Sequence, residues 1–260
     1  MEIRDFLKSY NIEFIEKDRK VLNGKELDIW IPSLNLAIEH NGLYWHSEFK
    51  KLDKNYHYKK WEECNSKGIN LLTIWGDDWN YKKEIVKNII INKLGVNDNI
   101  VYVTDTEIKI VDSKEKKGFL ENNHLLGNIK GNISIGLFYQ NELISIMVFE
   151  EKKEGDYEML RFCNKINISV VYGDSKLFNY FLKKYNPNKI ISYVNLDISD
   201  EEIYRNLGFN YLGFYELNHW WFKNGKREFN SNKVEDKIMR DLKYKKIWGS
   251  GISMWIYKHK

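Results

Sequence analysis

Glu26-Leu-Asp-Ile-Trp-Ile-Pro-Ser-Leu-Asn-Leu-Ala-Ile-Glu-His-Asn-Gly-Leu-Tyr-Trp-His46 is the stretch on which the reading of this chain turns. It reads as two hydrophobic strands joined by the turn Pro32-Ser33-Leu34-Asn35. Each strand carries an acid, Asp28 on the first and Glu39 on the second, and the imidazole of His46 follows shortly after. Carboxylate oxygens suit a hard divalent cation such as magnesium, which is held by one or two carboxylates together with substrate phosphate oxygens. An imidazole titrates near neutral pH and can take a proton from an attacking water. The trio therefore points to metal-assisted cleavage of a phosphodiester.

Outward from this stretch, the first hundred residues alternate between helix and strand signals. Ile3, Phe6, Leu7 and Tyr10 recur at helical spacing, and Ile12 to Ile15 and Lys20 to Leu22 read as short strands on either side of a charged turn. Asn23-Gly24 is a hairpin turn, since both residues tolerate positive φ. Asp53 is placed to cap a helix running to Lys67, Ile69 to Trp75 reads as a buried strand, and a last helix runs from Asp77 or Asp78 to Gly95. Residues 96 to about 110 are poor in hydrophobics and read as a joint. Beyond it a helix (Lys114 to Asn122) precedes strands at Ile133 to Tyr139, Leu143 to Phe149 and Tyr157 to Phe162. A helix from Gly173 to Tyr185, a strand at Lys189 to Val194, a helix at Glu201 to Leu207 and a strand at Tyr211 to Glu216 follow. The expected division is residues 1–97, a linker at 98–112, and residues 113–260 with a basic, aromatic C-terminal extension.

Composition bounds the partners. The 41 Lys and Arg, with 9 Trp, 17 Tyr and 13 Phe, supply material for a basic surface that stacks on bases, although the net charge is only +4. Two cysteines, Cys64 and Cys163, are too few for a disulfide framework. No apolar run approaches the roughly 20 residues of a membrane span, and the charged start is unlike a signal peptide, so a cytoplasmic protein is expected.

Glu26-Leu-Asp-Ile and Ala37-Ile-Glu-His-Asn-Gly-Leu-Tyr-Trp-His-Ser-Glu together resemble the nuclease domain of phage-type homing endonucleases related to the very-short-patch-repair endonuclease, over about residues 2 to 94. The resemblance implies a restriction-endonuclease-like mixed sheet, with Asp28 and Glu39 binding magnesium or manganese and His46 as general base. Asn41 stands where the wider fold usually places a lysine. Glu2 matches an acid near the metal, and the zinc of the repair relatives is dropped for want of cysteines. Asp78 follows the strand at Leu71 to Trp75, within reach of the same cleft. His57 and Lys60, three apart on one helix face, are candidates for contacts to the scissile phosphate, and Trp45 for contact with DNA. Glu26, Glu48 and Asp77 read as flanking charge or caps.

Residues 118 to about 222 resemble an N-acetyltransferase-like α/β domain. Phe119-Leu-Glu-Asn-Asn-His, Gly136-Leu-Phe-Tyr with Leu143-Ile-Ser-Ile-Met, Leu160-Arg-Phe-Cys-Asn-Lys, Gly173-Asp-Ser-Lys-Leu-Phe and Tyr204-Arg-Asn-Leu-Gly-Phe carry the likeness. Such domains aim backbone amides at the coenzyme A pyrophosphate. The turn Val171-Tyr-Gly-Asp-Ser-Lys departs from the glycine-rich pattern and sets Asp174 there, so coenzyme A is not expected. His219-Trp-Trp-Phe-Lys and Asn224-Gly-Lys-Arg alternate aromatic and basic groups about a hairpin, which nominates Trp221, Lys223, Lys226 and Arg227 for DNA. Lys243 to Lys246 and Trp255 to Lys260 add basic charge.

The expectation is thus a magnesium-dependent, site-specific endonuclease on double-stranded DNA, with a homodimer or two successive nicks needed to cut both strands. Two alternatives stand beside it. A DNA-modifying acyltransferase would be protected by coenzyme A and would not cleave; a non-catalytic binding protein would keep its DNA affinity after Asp28→Ala.

Overall fold

The pair Asn23 and Gly24 takes positive φ at both residues, 50° and 106°, which lets an antiparallel ribbon turn tightly. In the computed structural model, which describes residues 2–50, 53–198, 201–229 and 234–259, helix α1 (Glu2–Ser9) leads into β1 (Ile15–Leu22) and β2 (Lys25–Ile31). The two short strands read on either side of a charged turn are one strand with an irregularity between Asp18 and Leu22. Asp18 Oδ1 there accepts the amides of Lys20 and Val21 and replaces the missing ladder bonds. A single tight helical turn at Pro32–Leu34 ends with Asn35 in the left-handed region and reverses the chain into β3 (Leu36–Asn41).

Helix α2 (Tyr56–Ser66) then crosses over to β4 (Asn70–Trp75), which runs parallel to β3 from Leu36↔Asn70 to Asn41↔Trp75. A parallel neighbour requires such a crossover. Asp53 does not cap α2: its carboxylate holds the Asn55 amide and Lys59, and the helix begins beyond it. The helix expected from Asp77 to Gly95 is two, α3 (Gly76–Tyr81) and α4 (Lys83–Leu94). The first sheet has the order β1-β2-β3-β4. Leu22, Leu27, Trp30, Ala37, Cys64, Ile69 and Leu71 form its core.

The residues read as a joint carry β5 (Ile100–Tyr102) and β6 (Glu107–Ile110). There follow α5 (Ser113–Asn123), capped by the Asp112 carboxylate, then β7 (Ile133–Tyr139), β8 (Glu142–Lys153), β9 (Asp156–Asn164), β10 (Ser169–Val171) and α6 (Gly173–Tyr185). Next come β11 (Lys189–Asn195), α7 (Glu201–Asn206), β12 (Asn210–Glu216), β13 (His219–Lys223), β14 (Lys226–Glu228), α8 (Asp236–Asp241), β15 (Lys245–Trp248) and β16 (Ile252–Lys258). Three further sheets result, of order β10-β5, β12-β16-β11-β9-β8-β7-β6 and β14-β13-β15. The fold is mixed α/β.

The chain condenses into two units. Unit 1 comprises Met1–Lys83, Asn195–Ser199 and Phe214–Ile252; unit 2 comprises Glu84–Val194, Asp200–Gly213 and Ser253–Lys260. Unit 1 thus holds the four-stranded sheet and the β14-β13-β15 sheet, with a cluster of Leu43, Trp75, Trp220 and Ile247. Unit 2 is built on the seven-stranded sheet, and α6 lays Leu177, Phe178 and Phe181 into its main core beside Phe149, Tyr157 and Trp255. Phe149 and Phe181 stack at 3.6 Å. Among the described residues no helix is long and apolar enough to cross a membrane. Lys260 lies outside them.

Candidate functional site

In unit 1 the last main-chain pair of the β2–β3 ladder is Ile29↔Ile38, and beyond it side chains take over the pairing. The Asp28 amide donates to Glu39 Oε1 at 3.0 Å, and the His40 amide donates to Asp28 Oδ2 at 2.9 Å. The other Glu39 oxygen lies 2.5 Å from Lys60 Nζ, reaching across from α2, and both side chains are buried. Burial pushes the Glu39 carboxyl up to about 7, against the pull of Lys60. His57 stands one turn earlier on α2. Its Nδ1 meets the Asn41 amide nitrogen at 3.3 Å and its Nε2 meets His46 Nδ1 at 3.2 Å. The amide of Asn41 donates, so the proton of His57 sits on Nε2 and is given to His46, whose own proton is then on Nε2. Burial pulls His46 down to about 4 and His57 to about 3.

Glu2 is exposed and takes bonds from Trp79 Nε1 and Lys83. Asp77 and Asp78 are both held by Arg227, which bonds Asp77 through its backbone amide and Nε at 2.9 Å and Asp78 through Nη2 at 2.5 Å. The Arg227 guanidinium lies 4.9 Å from the Trp75 ring and 4.6 Å from the Trp220 ring. Three expected DNA contacts are therefore corrected. Trp221 is fully buried, Arg227 is enclosed by its two carboxylates and two rings, and Lys60 is sealed against Glu39. Lys223 Nζ bonds the Leu242 carbonyl, Lys226 is exposed over the Tyr81 ring, and Trp45 is 63% exposed.

Unit 2 presents a second arrangement. Strand β11 runs parallel to β9 for three residue pairs only, Lys189↔Asp156 to Ile191↔Glu158. Both strands continue past that point, and beside it lie Arg161 on β9, Ser192 on β11 and Tyr204 on α7. Ser192 Oγ donates to the Met159 carbonyl at 3.0 Å, and the Tyr204 hydroxyl bonds with Ser192. Burial raises the Tyr204 phenol above its ordinary range and works against the charge of Arg161. Arg161 Nη1 donates to the Leu160 carbonyl at 2.8 Å, while its Nε is closed off without an acceptor among the described residues. Beyond β10, Tyr172 occupies the left-handed region at φ 61° and starts α6 without a side-chain cap. Sequence reasoning passed over Arg161 and Tyr204, because a lone arginine or tyrosine among apolar residues gives no spacing to recognise.

Neither a family model nor a curated protein matches the sequence. Solved structures resemble part of the fold. An acetyltransferase of Bacillus subtilis in complex with CoA is similar over 60% of this chain and 99% of its own, at 13% identity and a TM-score of 0.40. An aminoglycoside 6'-acetyltransferase of type Ii matches 58% of this chain and 96% of its own, at 14% identity and TM-score 0.38. The ribosomal-protein-S18-alanine N-acetyltransferase of Escherichia coli matches 59% and 93%, at 8% identity and TM-score 0.39.

Two expectations are corrected accordingly. The DNA-hydrolysing enzyme gives way, since the carboxylates it relied on close the β2–β3 ladder and pair with Lys60; the similar structures named above are acetyltransferases. The cofactor assignment gives way as well. Among the described residues no three His, Cys, Asp or Glu side chains group to hold a metal ion, and the Asp28 and Glu39 carboxylates assigned to magnesium are taken by the His40 amide, the Asp28 amide and Lys60; coenzyme A accompanies one of the similar structures.

Proposed function

We propose that the protein is an acyltransferase in which unit 2 moves an acyl group from a coenzyme A thioester to an acceptor nucleophile. The supporting observation is the parting of β9 and β11 after three pairs. Parallel strands that separate leave main-chain donors and acceptors for an extended ligand, and open sheets gather ligands at the carboxyl ends of such strands.

The residues fit such a ligand. The first turn of α6 has no side-chain cap, so the amides of Gly173, Asp174 and Ser175 are available to an anionic group. Asp174 works against it, and Lys176 does not contribute because its ammonium is held by the Val103 and Thr106 carbonyls and the Thr106 hydroxyl. An acyl-coenzyme A, when bound, would supply a thioester whose C–S bond breaks as the acceptor bonds to the acyl carbon, with coenzyme A leaving as the thiol. Tyr204 Oη, kept protonated by burial, holds a proton that can be released to a leaving group.

Calorimetric titration of the full chain with coenzyme A tests the reading, with thiol release from acetyl-coenzyme A followed colorimetrically. Saturable binding is expected. Cys64 and Cys163, both pushed up to about 12 by burial, add little background. Absence of binding together with thiol release no faster than in buffer would remove the proposal.

For unit 1 we infer a nucleic-acid partner. Tyr44, Trp45 and Phe49 are 44%, 63% and 53% exposed and lie against one another. Lys50 Nζ is 4.4 Å from the Trp45 ring and Lys245 Nζ 5.9 Å from that of Phe49. Exposed rings among ammonium groups suit stacked bases and their phosphates.

A further inference from the structure

Of the six arginines in the chain, five have a carboxylate partner: Arg4 with Glu16, Arg19 with Glu26, Arg205 with Glu201, Arg227 with Asp77 and Asp78, and Arg240 with Glu48. Arg161 has none among the described residues, although it is the one drawn into the sheet of unit 2. A partly buried cation without a counter-charge is disfavoured, so such a group is retained where something compensates it.

One donor group of the Arg161 guanidinium is left open. Nη1 is bound to the Leu160 carbonyl, and Nε is closed off with no acceptor. What remains is Nη2, a charged donor open to a carboxylate or phosphate oxygen. Further polar atoms lie without partners along the same strands. Asn164 Oδ1 on β9 and Oγ of the fully buried Ser145 on β8 both lack one, and these two residues are register partners. Three of the six such side-chain atoms among the described residues thus belong to this pair of strands. Ser145 and Asn164 face the side of the sheet opposite to Arg161, so the unused hydrogen-bonding capacity on the Arg161 side is that of its guanidinium alone.

The location adds the chemistry. Arg161 lies three residues past the last β9–β11 pair, and the groups that counter its desolvation include the Tyr204 phenol, the proton holder of the proposed reaction. We propose that Nη2 of Arg161 receives an oxyanion, carboxylate or phosphate, carried by the acyl acceptor. The role as acceptor contact rests on the acyltransferase reading; the oxyanion site itself does not. The protein would accordingly favour acceptors bearing a negative group near the nucleophile over their neutral counterparts.

Two measurements separate these layers. In the first, the arginine Nε–H resonances of the nitrogen-15-labelled full chain are followed while acetate, and separately inorganic phosphate, is added. The resonance missing from Arg161→Gln is expected to shift saturably, and Arg161→Lys, which keeps the charge without the fork, serves as a second variant should the first unfold. No shift with either anion overturns the proposal whether or not coenzyme A binds. In the second, thiol release from acetyl-coenzyme A is compared for glycine against glycinamide and for phosphoethanolamine against ethanolamine, which distinguishes carboxylate from phosphate. The anionic member of one pair is expected to have a KM on the order of tenfold to a hundredfold lower. Arg161→Gln should abolish that preference while leaving the KM for acetyl-coenzyme A unchanged. Turnover without preference, or a preference that survives Arg161→Gln, overturns the acceptor assignment; failure of the wild type to bind coenzyme A, with the anion shift intact, overturns the acyltransferase reading instead.

Discussion

Lys60 Nζ lies 2.5 Å from Oε2 of Glu39, and each side chain is 8% exposed. Charges removed from water in this way depend on one another. Lys60→Met is expected to cost about 3–5 kcal/mol above pH 7, where it strands a buried carboxylate, and less at lower pH, where Glu39 takes a proton, whereas the double variant Lys60→Met/Glu39→Gln should recover most of that loss. Urea unfolding of the four proteins measures the coupling. Simple additivity would show that the contact contributes nothing.

The neighbouring groups set opposing pH slopes. The Glu39 pKa is raised from 4.5 to about 7, so its contribution to stability is complete below 4.5 and is lost as pH rises through about 7. His46 and His57 are depressed from 6.5 to about 4 and about 3, so theirs is complete above 6.5 and is lost as pH falls through those values. The two effects oppose each other between about 4.5 and 6.5. Glu39→Gln should therefore make stability climb more steeply with pH across that window, read from urea midpoints. The His46 and His57 ring protons should show no titration near pH 6.5, where an unperturbed histidine does.

Arg227 bonds two buried carboxylates and stacks between two indoles. Arg227→Ala should destabilise unit 1 by about 3–5 kcal/mol, and Arg227→Lys should recover only part of this, since an ammonium cannot reproduce the fork or the stacking. Thermal unfolding is the check; full rescue by lysine would mean that charge alone matters.

If unit 1 holds nucleic acid through its exposed rings, Trp45→Ala should weaken DNA binding by about 1–3 kcal/mol, the worth of one stacked base. Replacing Lys50 should instead lower the salt dependence of binding by about one phosphate contact. Gel-shift titrations over a range of salt separate the two.

Tyr204→Phe removes the buried hydroxyl beside Ser192. In an acetyl-transfer assay kcat is expected to fall roughly 10²-fold or more, with little change in the KM for acetyl-coenzyme A. An unaltered kcat would take the proton-holding role from this residue.

The elements with strong local signals were legible from the residues alone. Helix α6 begins and ends at Gly173 and Tyr185 as the spacing indicates, and the Asn224-Gly225 turn joins β13 to β14. What local patterns could not carry was partnership. Nothing near Lys60 in sequence announces Glu39, 21 residues away, and nothing near Arg227 announces Asp77, 150 residues away. Acids at strand positions therefore read as ligands for an ion when they serve as acceptors for backbone amides and for buried cations. Trp221 and Trp45 look equally apt for stacking in a string of letters. Only the β14-β13-β15 sheet, which buries the former, tells them apart.

The return of Phe214–Ile252 to unit 1 bears on synthesis. A nascent chain leaves the ribosome from its first residue onward, and segments ordinarily fold in that order. Here the portion that emerges first cannot be completed until Trp220 and Ile247 arrive to cover Leu43 and Trp75. Unit 1 is consequently completed only after most of unit 2 has been made, and its apolar face must wait, uncovered, through that interval.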